Sequence, residues 1–290
     1  MLVLLFMVSL TLTASTHEKN FFFEKNTNYP VAVGLETVAH LESVQSPYEK
    51  IDIYQTTRCG NMLVLDGAIQ LTQWDNHAYH EMLVHVPLMA HPNPQRILII
   101  GGGDGGTLTQ VCKYPAQEIV LCDIDSQVIN LSQKYFPEFA PSFTDPRVKI
   151  VIGNGAQFIK NFNDYFDIIL VDASDPEGPA SVLYTHDFYT DIYNALKVDG
   201  IAVAQGESPF FHQQLIIDWH ARNQKIFPHV YYYYALVPTY PSGVIGFMYH
   251  AKSYTPLTLR NSSVCGYETA HYYTPALHKA SFVLPKFMNN

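Results

Sequence analysis

Charge is scarce in this 290-residue chain: Asp, Glu, Lys and Arg together make up 15% of it, and 26 acidic residues outnumber 17 Lys and Arg. The net charge of -9 argues against nucleic-acid binding, which normally needs a basic face to neutralise phosphates. It is compatible with a cationic substrate. Cysteine is sparse too. Cys59, Cys112, Cys122 and Cys265 are scattered without CxxC spacing, so the thiols read as free and buried, in a reducing compartment. There is no internal repeat, low-complexity tract or long charge run. A long apolar run occurs only at residues 1–14, MLVLLFMVSLTLTA. No Lys or Arg precedes it and it is short for a transmembrane helix, although it is like a signal-peptide core. A cytoplasmic location is expected, with export left open by this segment. Asn261-Ser-Ser263 would be a glycosylation acceptor only in a secreted chain.

What is present is ample core, with 48% hydrophobic and 13% aromatic residues. The chain is organised around Arg96 to Gly106, RILIIGGGDGG. Ile97 to Ile100 read as a parallel strand buried on both faces. Five glycines follow within six residues, and then an apolar-periodic segment with Leu108 and Val111. Strand, glycine turn and helix start make a crevice where backbone can approach a nucleotide. Gly101, Gly103 and Gly106 satisfy GxGxxG, and Asp123 follows at the end of a second apolar run, Ile119 to Cys122. A carboxylate there can accept hydrogen bonds from both ribose hydroxyls.

Upstream, from Pro30 to about Thr72, the pattern is β-rich: segments 31–33, 39–44, 51–54 and 62–65, with Asp66-Gly67 as a turn. Asp75 is placed to cap a helix that runs to about Ala90 and stops before Pro92 and Pro94. On that helix His77, Glu81 and His85 share a face, but their spacing matches no zinc motif and HExxH is absent, so no metal site is expected. Downstream, strands at 148–152, 166–171 and 201–204 alternate with helices at about 155–162, 186–196 and 211–226. Gly200 is read as a turn. Segments 230–236 and 245–250 read as an antiparallel pair. These expectations amount to an α/β chain: a Rossmann-like, doubly wound, mostly parallel sheet of the class I methyltransferase type, preceded by a small antiparallel β domain. The expected boundaries are 1–19 for the apolar extension, 20–74 for the β domain and 75–290 for the Rossmann-like domain.

Ligands of such sheets lie outside the carboxyl ends of the strands. Those ends carry Asp104, Asp123, Asn154, and the pair Asp172 and Asp175, with no Lys or Arg among them. A ligand phosphate would find no cation there, which counts against NAD, although loop amides could still hold a pyrophosphate. Converging carboxylates without compensating cations predict a cationic ligand.

GGGDGG, Asp172-x-x-Asp175-Pro-x-Gly-Pro179 and Pro238-Thr-Tyr-Pro-Ser-Gly243 resemble the spermidine synthase (polyamine aminopropyltransferase) family. Leu63-Val-Leu-Asp-Gly67, Gln70, Tyr79-His-Glu-Met82 and Gln205-Gly-Glu207 extend the likeness, which runs from about residue 20 to Pro285. The resemblance implies transfer of the aminopropyl group of decarboxylated S-adenosylmethionine, a co-substrate, to putrescine. The products would be spermidine and 5′-methylthioadenosine, made without a cofactor. It implies Asp172 as the base, with Tyr79 and Asp175 helping to hold the amine. His80, Asp104, Asp175, Glu207 and Tyr240 would face the polyamine. Gln55, Asp123, Asn154, Gly155 and Pro179, with Gly101 and Gly103, would hold the nucleoside. A homodimer or homotetramer is implied, joined through the N-terminal sheet.

Two positions depart from the family pattern, which usually has Glu at 123 and Asp at 154. Asp123 is shorter, and the Asn154 carbonyl accepts without charge, so retuned nucleoside affinity is expected. Three other readings remain: the same chemistry on spermidine or agmatine, a methyltransferase, or a non-catalytic polyamine- or nucleoside-binding protein.

Overall fold

The computed structural model describes residues 20–25, 31–176, 178–261 and 266–288. The apolar segment 1–14, Cys265 and most of the glycosylation triplet lie outside the described residues.

An antiparallel sheet comes first, in the order β1 (Asn20–Lys25), β2 (Ala32–Gln45), β3 (Lys50–Thr56), β4 (Asn61–Leu65) and β5 (Ala68–Thr72). The β4–β5 turn is Asp66-Gly67, with both residues at positive φ (46° and 87°), as a tight hairpin of this kind requires. Segments 31–33 and 39–44, read separately in the sequence, belong to the single strand β2. Register shifts at Thr37/Ala39 and His40/Glu42 carry it through the break in its alternation. β1 and β5 add strands that the sequence pattern did not single out. The outer strands are thinly covered: Phe21, Phe23, Val38 and Leu41 are exposed.

Helix α1 (Asn76–Ala90) follows, and 13 of its 15 residues are buried. It is buried nearly all round, polar His80, Glu81 and His85 included, because it packs between the first sheet and the second. Asp75 stands at its N-cap, but the expected side-chain cap bond does not form. Its carboxylate instead accepts from Thr72 Oγ1 (2.7 Å), the Thr239 amide (2.9 Å) and Thr239 Oγ1 (3.1 Å), which pins the 237–243 loop to the start of the helix.

The second sheet has seven strands: β6 (Arg96–Gly101), β7 (Glu118–Asp123), β8 (Val148–Ile152), β9 (Phe166–Asp172), β10 (Leu196–Gln205), β11 (His229–Leu236) and β12 (Val244–Ala251). Their order is β11-β12-β10-β9-β6-β7-β8. β6 to β10 are parallel, and the β11–β12 pair closes one edge antiparallel. Gly200 does not turn the chain before a new strand. β10 already begins at Leu196, and an irregularity between Leu196 and Ile201 absorbs the residues between them.

Alternate residues of the parallel strands point to opposite faces. Ile97, Ile99, Ile168 and Leu170 pack with α1, α2 (Gly106–Val111) and α3 (Ser126–Tyr135). Leu98, Ile100, Ile169 and Val171 pack with α4 (Gly155–Phe158), α5 (His186–Ala195) and α6 (Gln213–Asn223). Residues 271–273, ahead of α7 (Pro275–Ala280), return to α1: Glu81 is fully buried and accepts the amides of His271, Tyr272 and Tyr273 at 2.7–2.8 Å. Among the described residues no helix is long and apolar enough to cross a membrane.

Candidate active site

The strand order reverses beside β6, which has β7 on one side and β9 on the other. Gly101 and Asp172 are register partners where β6 and β9 end. Gly101 lies at φ 77°, and a Cβ there would stand 2.1 Å from the Asp172 carbonyl oxygen, so only glycine permits this approach. The Gly102 amide donates to that same oxygen at 2.8 Å.

Asp172 is therefore held firmly while its side chain faces a cavity of about 500 Å³. Tyr79 Oη donates to its Oδ1 (2.8 Å) and Thr107 Oγ1 to its Oδ2 (2.6 Å). Burial first, and then the nearby Asp104 charge, push the Asp172 carboxyl up to about 6, against the pull of His80 and the two hydroxyls. Asp104 accepts the Gly106 amide at 2.6 Å and stands 3.3 Å from His80 Nε2. Burial raises its pKa, but His80 and that amide outweigh it and leave the carboxyl below its ordinary value. His80 is the converse case. Burial opposes its charge, yet Asp104 and Asp172 outweigh burial and raise its pKa. Its ring packs so closely on Gly106 that a Cβ there would stand 2.1 Å from it. His80, Asp104 and Asp172 have ligand atoms within 4.8 Å of one another.

One arm of the cavity runs along the ends of β7 and β8. Asp123 accepts the amides of Gly103 and Asp125, each at 2.8 Å, and burial still raises its carboxyl to about 6. Each of its oxygens keeps capacity for a hydroxyl donor. Asn154 lines the same arm with Gly155 and caps α4 by accepting from the Gln157 amide. Gly178 and Ala180 also line the cavity, on either side of Pro179, whose side chain lies outside the described residues.

Gln55 is not in this arm. It is exposed on β3, opposite Asn61 of β4, and does not line the cavity. The first sheet presents Glu49 there instead, just ahead of β3. Burial, reinforced by Asp125 and Asp123, raises Glu49 to about 7.

The other arm is bounded by Gln70, Asp175, Gln205, Glu207 and Tyr240. Gln205 donates to Asp175 (3.3 Å) and accepts from Tyr184 Oη (2.9 Å). Tyr240 Oη donates to the Gln70 carbonyl (2.7 Å), which turns its ring into a wall of the arm. Glu207 is buried, with Oε2 3.0 Å from His212 Nδ1. Glu24 of β1 reaches the cavity as well, and burial raises it to about 7.

Of the sequence candidates, Tyr79, His80, Gly101, Gly103, Asp104, Asp123, Asn154, Gly155, Asp172, Asp175, Glu207 and Tyr240 all line this one cavity. Eight carboxylates line it and, among the described residues, no lysine or arginine. Glu24, Glu49 and Thr107 had not been singled out. Gln70 and Gln205 stood in the quoted motifs, but no role had been attached to them. His77, Glu81 and His85, which share a helix face, do not converge on a common point. Glu81 is taken by the three amides, His85 meets Tyr114 Oη (2.7 Å), and the His77 ring lies beside His271.

Residues 76–261 match the spermine/spermidine synthase domain, and residues 21–73 match the spermidine synthase tetramerisation domain. A polyamine aminopropyltransferase of Leptospira biflexa is 46% identical over 257 residues, 88% of this chain and 92% of that protein. One of Bacillus subtilis is 40% identical, covering 93% and 98%. The crystal structure of spermidine synthase from Thermotoga maritima superposes with a TM-score of 0.88 at 36% identity, covering 94% of each chain. A spermidine synthase bound to the transition-state analogue AdoDATO gives 0.89 at the same identity and coverage. The chain belongs to the spermine/spermidine synthase family of polyamine aminopropyltransferases.

Proposed function

We propose that this protein transfers the aminopropyl group of decarboxylated S-adenosylmethionine to putrescine, with Asp172 as the general base. The observation that carries the reading is the state of Asp172. It accepts two hydroxyl groups and no lysine or arginine, and its carboxyl is raised to about 6. Such a group is ionised at neutral pH yet basic enough to take a proton.

An alkylamine with a pKa near about 10 is almost wholly protonated at neutral pH and cannot attack. Asp172 takes one proton from the amine, whose lone pair then attacks the carbon beside the sulfonium sulfur. The new N–C bond forms as the C–S bond breaks, and the departing electron pair neutralises the sulfur. Spermidine and 5′-methylthioadenosine result. Tyr79 holds Asp172 in line, and Asp175, fixed by Gln205, steadies the amine at the cavity mouth.

Asp104 selects the donor: it attracts the ammonium of the decarboxylated compound and repels the carboxylate of S-adenosylmethionine. The same repulsion opposes a methyltransferase. Asp123, Asn154, Gly155, Gly101 and Gly103 flank the arm for the nucleoside, with Glu49 in the place expected of Gln55. The acceptor's methylenes lie along Tyr240, and its distal ammonium meets Glu207. No cofactor enters this scheme. The donor is a cytosolic metabolite, so the cytoplasm is the working compartment. A homodimer or homotetramer would cover the apolar residues that β1 and β2 leave exposed.

The test is product analysis with putrescine and either sulfonium donor, using wild type and Asp172→Asn. Spermidine should form only from the decarboxylated donor, and the substitution should lower kcat by about 10²–10⁴-fold. The acid limb of kcat/KM should rise through about pH 6 as Asp172 ionises. Turnover on a different amine alone would move the acceptor, and nucleoside binding without any turnover would make this a binding protein.

A further inference from the structure

On its Glu207 side the cavity is bounded by Phe211 and His212, and a second depression of about 410 Å³, lined by residues 210–215, lies against the same two side chains. Phe211 and His212 are the lining residues the two spaces share. As the residues common to both linings, they are the partition between the two spaces.

Glu207 stands against that partition in a fixed pose. Its φ is +67°, a costly conformation for a residue with a Cβ. Its carbonyl is held by the Gly246 amide (2.9 Å) and Tyr232 Oη (2.8 Å). Its carboxylate is divided. Oε2 lies 3.0 Å from His212 Nδ1, whereas buried Oε1 has no hydrogen-bond partner. A buried carboxylate oxygen left in this state favours a cation. Beyond the partition the outer depression is lined by the amides of Gln213 and Gln214 and by Leu215 and Phe210, with no carboxylate.

We propose that Phe211 and His212 are the length stop of the acceptor channel, admitting an α,ω-diamine and rejecting a triamine such as the reaction's own product. The proposal rests on the reading of this arm as the amine channel. His212 stands against one Glu207 oxygen, and the other faces the ligand as the seat of a single ammonium. A triamine would drive three more methylenes and another nitrogen into the partition, where no carboxylate waits for it. Rejection is therefore steric and electrostatic at once. Transfer stops after one round because the product cannot re-enter as an acceptor.

The experiment measures kcat/KM of the full-length protein for putrescine and for spermidine as acceptors, in wild type, His212→Ala, Phe211→Ala and His212→Asn. Wild type should favour the diamine by about 10²-fold. Removing either side chain should lower that ratio by about tenfold, mainly by raising transfer to spermidine. His212→Asn leaves a smaller polar side chain beside Glu207 and should fall between. A ratio between two acceptors is not moved by a general loss of stability, and Phe211→Ala carries the test if His212→Ala fails to fold. An unchanged ratio in variants that still use putrescine would overturn the length stop alone, as would a wild type that uses both amines equally. Transfer to neither amine by wild type would overturn the functional reading and the length stop together.

Discussion

Helix α1 carries two buried histidines five residues apart that end with opposite charge preferences. His80 faces Asp104 and Asp172, whose charges overcome burial and raise its pKa. His85 faces Tyr114 Oη and apolar side chains, and burial, helped by Lys113, lowers it to about 3. Both rings are 2% exposed or less. Burial is thus the common condition, and the neighbours decide whether a ring becomes part of a charged site or stays neutral in the core. Glu81, between them, makes the same point for carboxylates. Its three amide donors satisfy it and make it a structural tie, whereas Asp172 has two hydroxyls and remains available for a proton.

The contrast breaks most severely at Glu81. Glu81→Ala takes the acceptor from three amides, that of buried Tyr273 among them, and frees residues 271–273 from the helix, so denaturant unfolding should show a loss of roughly 3–5 kcal/mol. A loss below about 1 kcal/mol would mean that water or other groups satisfy those amides.

Gly106→Ala attacks the other side. Its Cβ would stand 2.1–2.5 Å from three atoms of the His80 ring, which must swing away from Asp104. We expect kcat/KM to fall by about 10²-fold with a small change in melting temperature. Unchanged activity would show that His80 need not keep its place.

A smaller effect sharpens the comparison through pH. His85 has a depressed folded pKa, so its contribution to stability is present above the unfolded value of 6.5 and is lost as pH falls toward about 3. Between neutrality and pH 5 this costs about 2 kcal/mol. Urea melts of His85→Phe across that range should show a shallower acid loss than wild type. His80 has a raised folded pKa, so its contribution is present below the unfolded value and is lost as pH rises through the folded one. Imidazole NMR should accordingly find His80 still protonated above 6.5 and His85 neutral well below it. Coincident titrations would refute the contrast.

The parallel strands of the second sheet were readable because a strand buried on both faces is an unbroken apolar run, as in Ile97 to Ile100. The glycine turn was readable because a backbone approach as close as that between Gly101 and Asp172 excludes every other side chain. β2 was read as two pieces because its bulges break the alternation that marks a strand. Gln55 and Glu49 show a different limit. Both belong to the same stretch of chain, and only the docking of the first sheet on the second decides that Glu49 lines the cavity while Gln55 is exposed. Asp75 stands where a cap belongs, but two of the three bonds its carboxylate accepts come from Thr239, 164 residues away.

The sequence by itself determined the alternation of strands and helices, the glycine turn and the acidic strand ends. Each is dictated by residues within a few positions of one another. Only the tertiary structure decided which carboxylate is satisfied, which histidine has its pKa raised and which end of β3 lies toward the cavity, because desolvation and Coulomb interactions depend on distances between elements far apart in the chain.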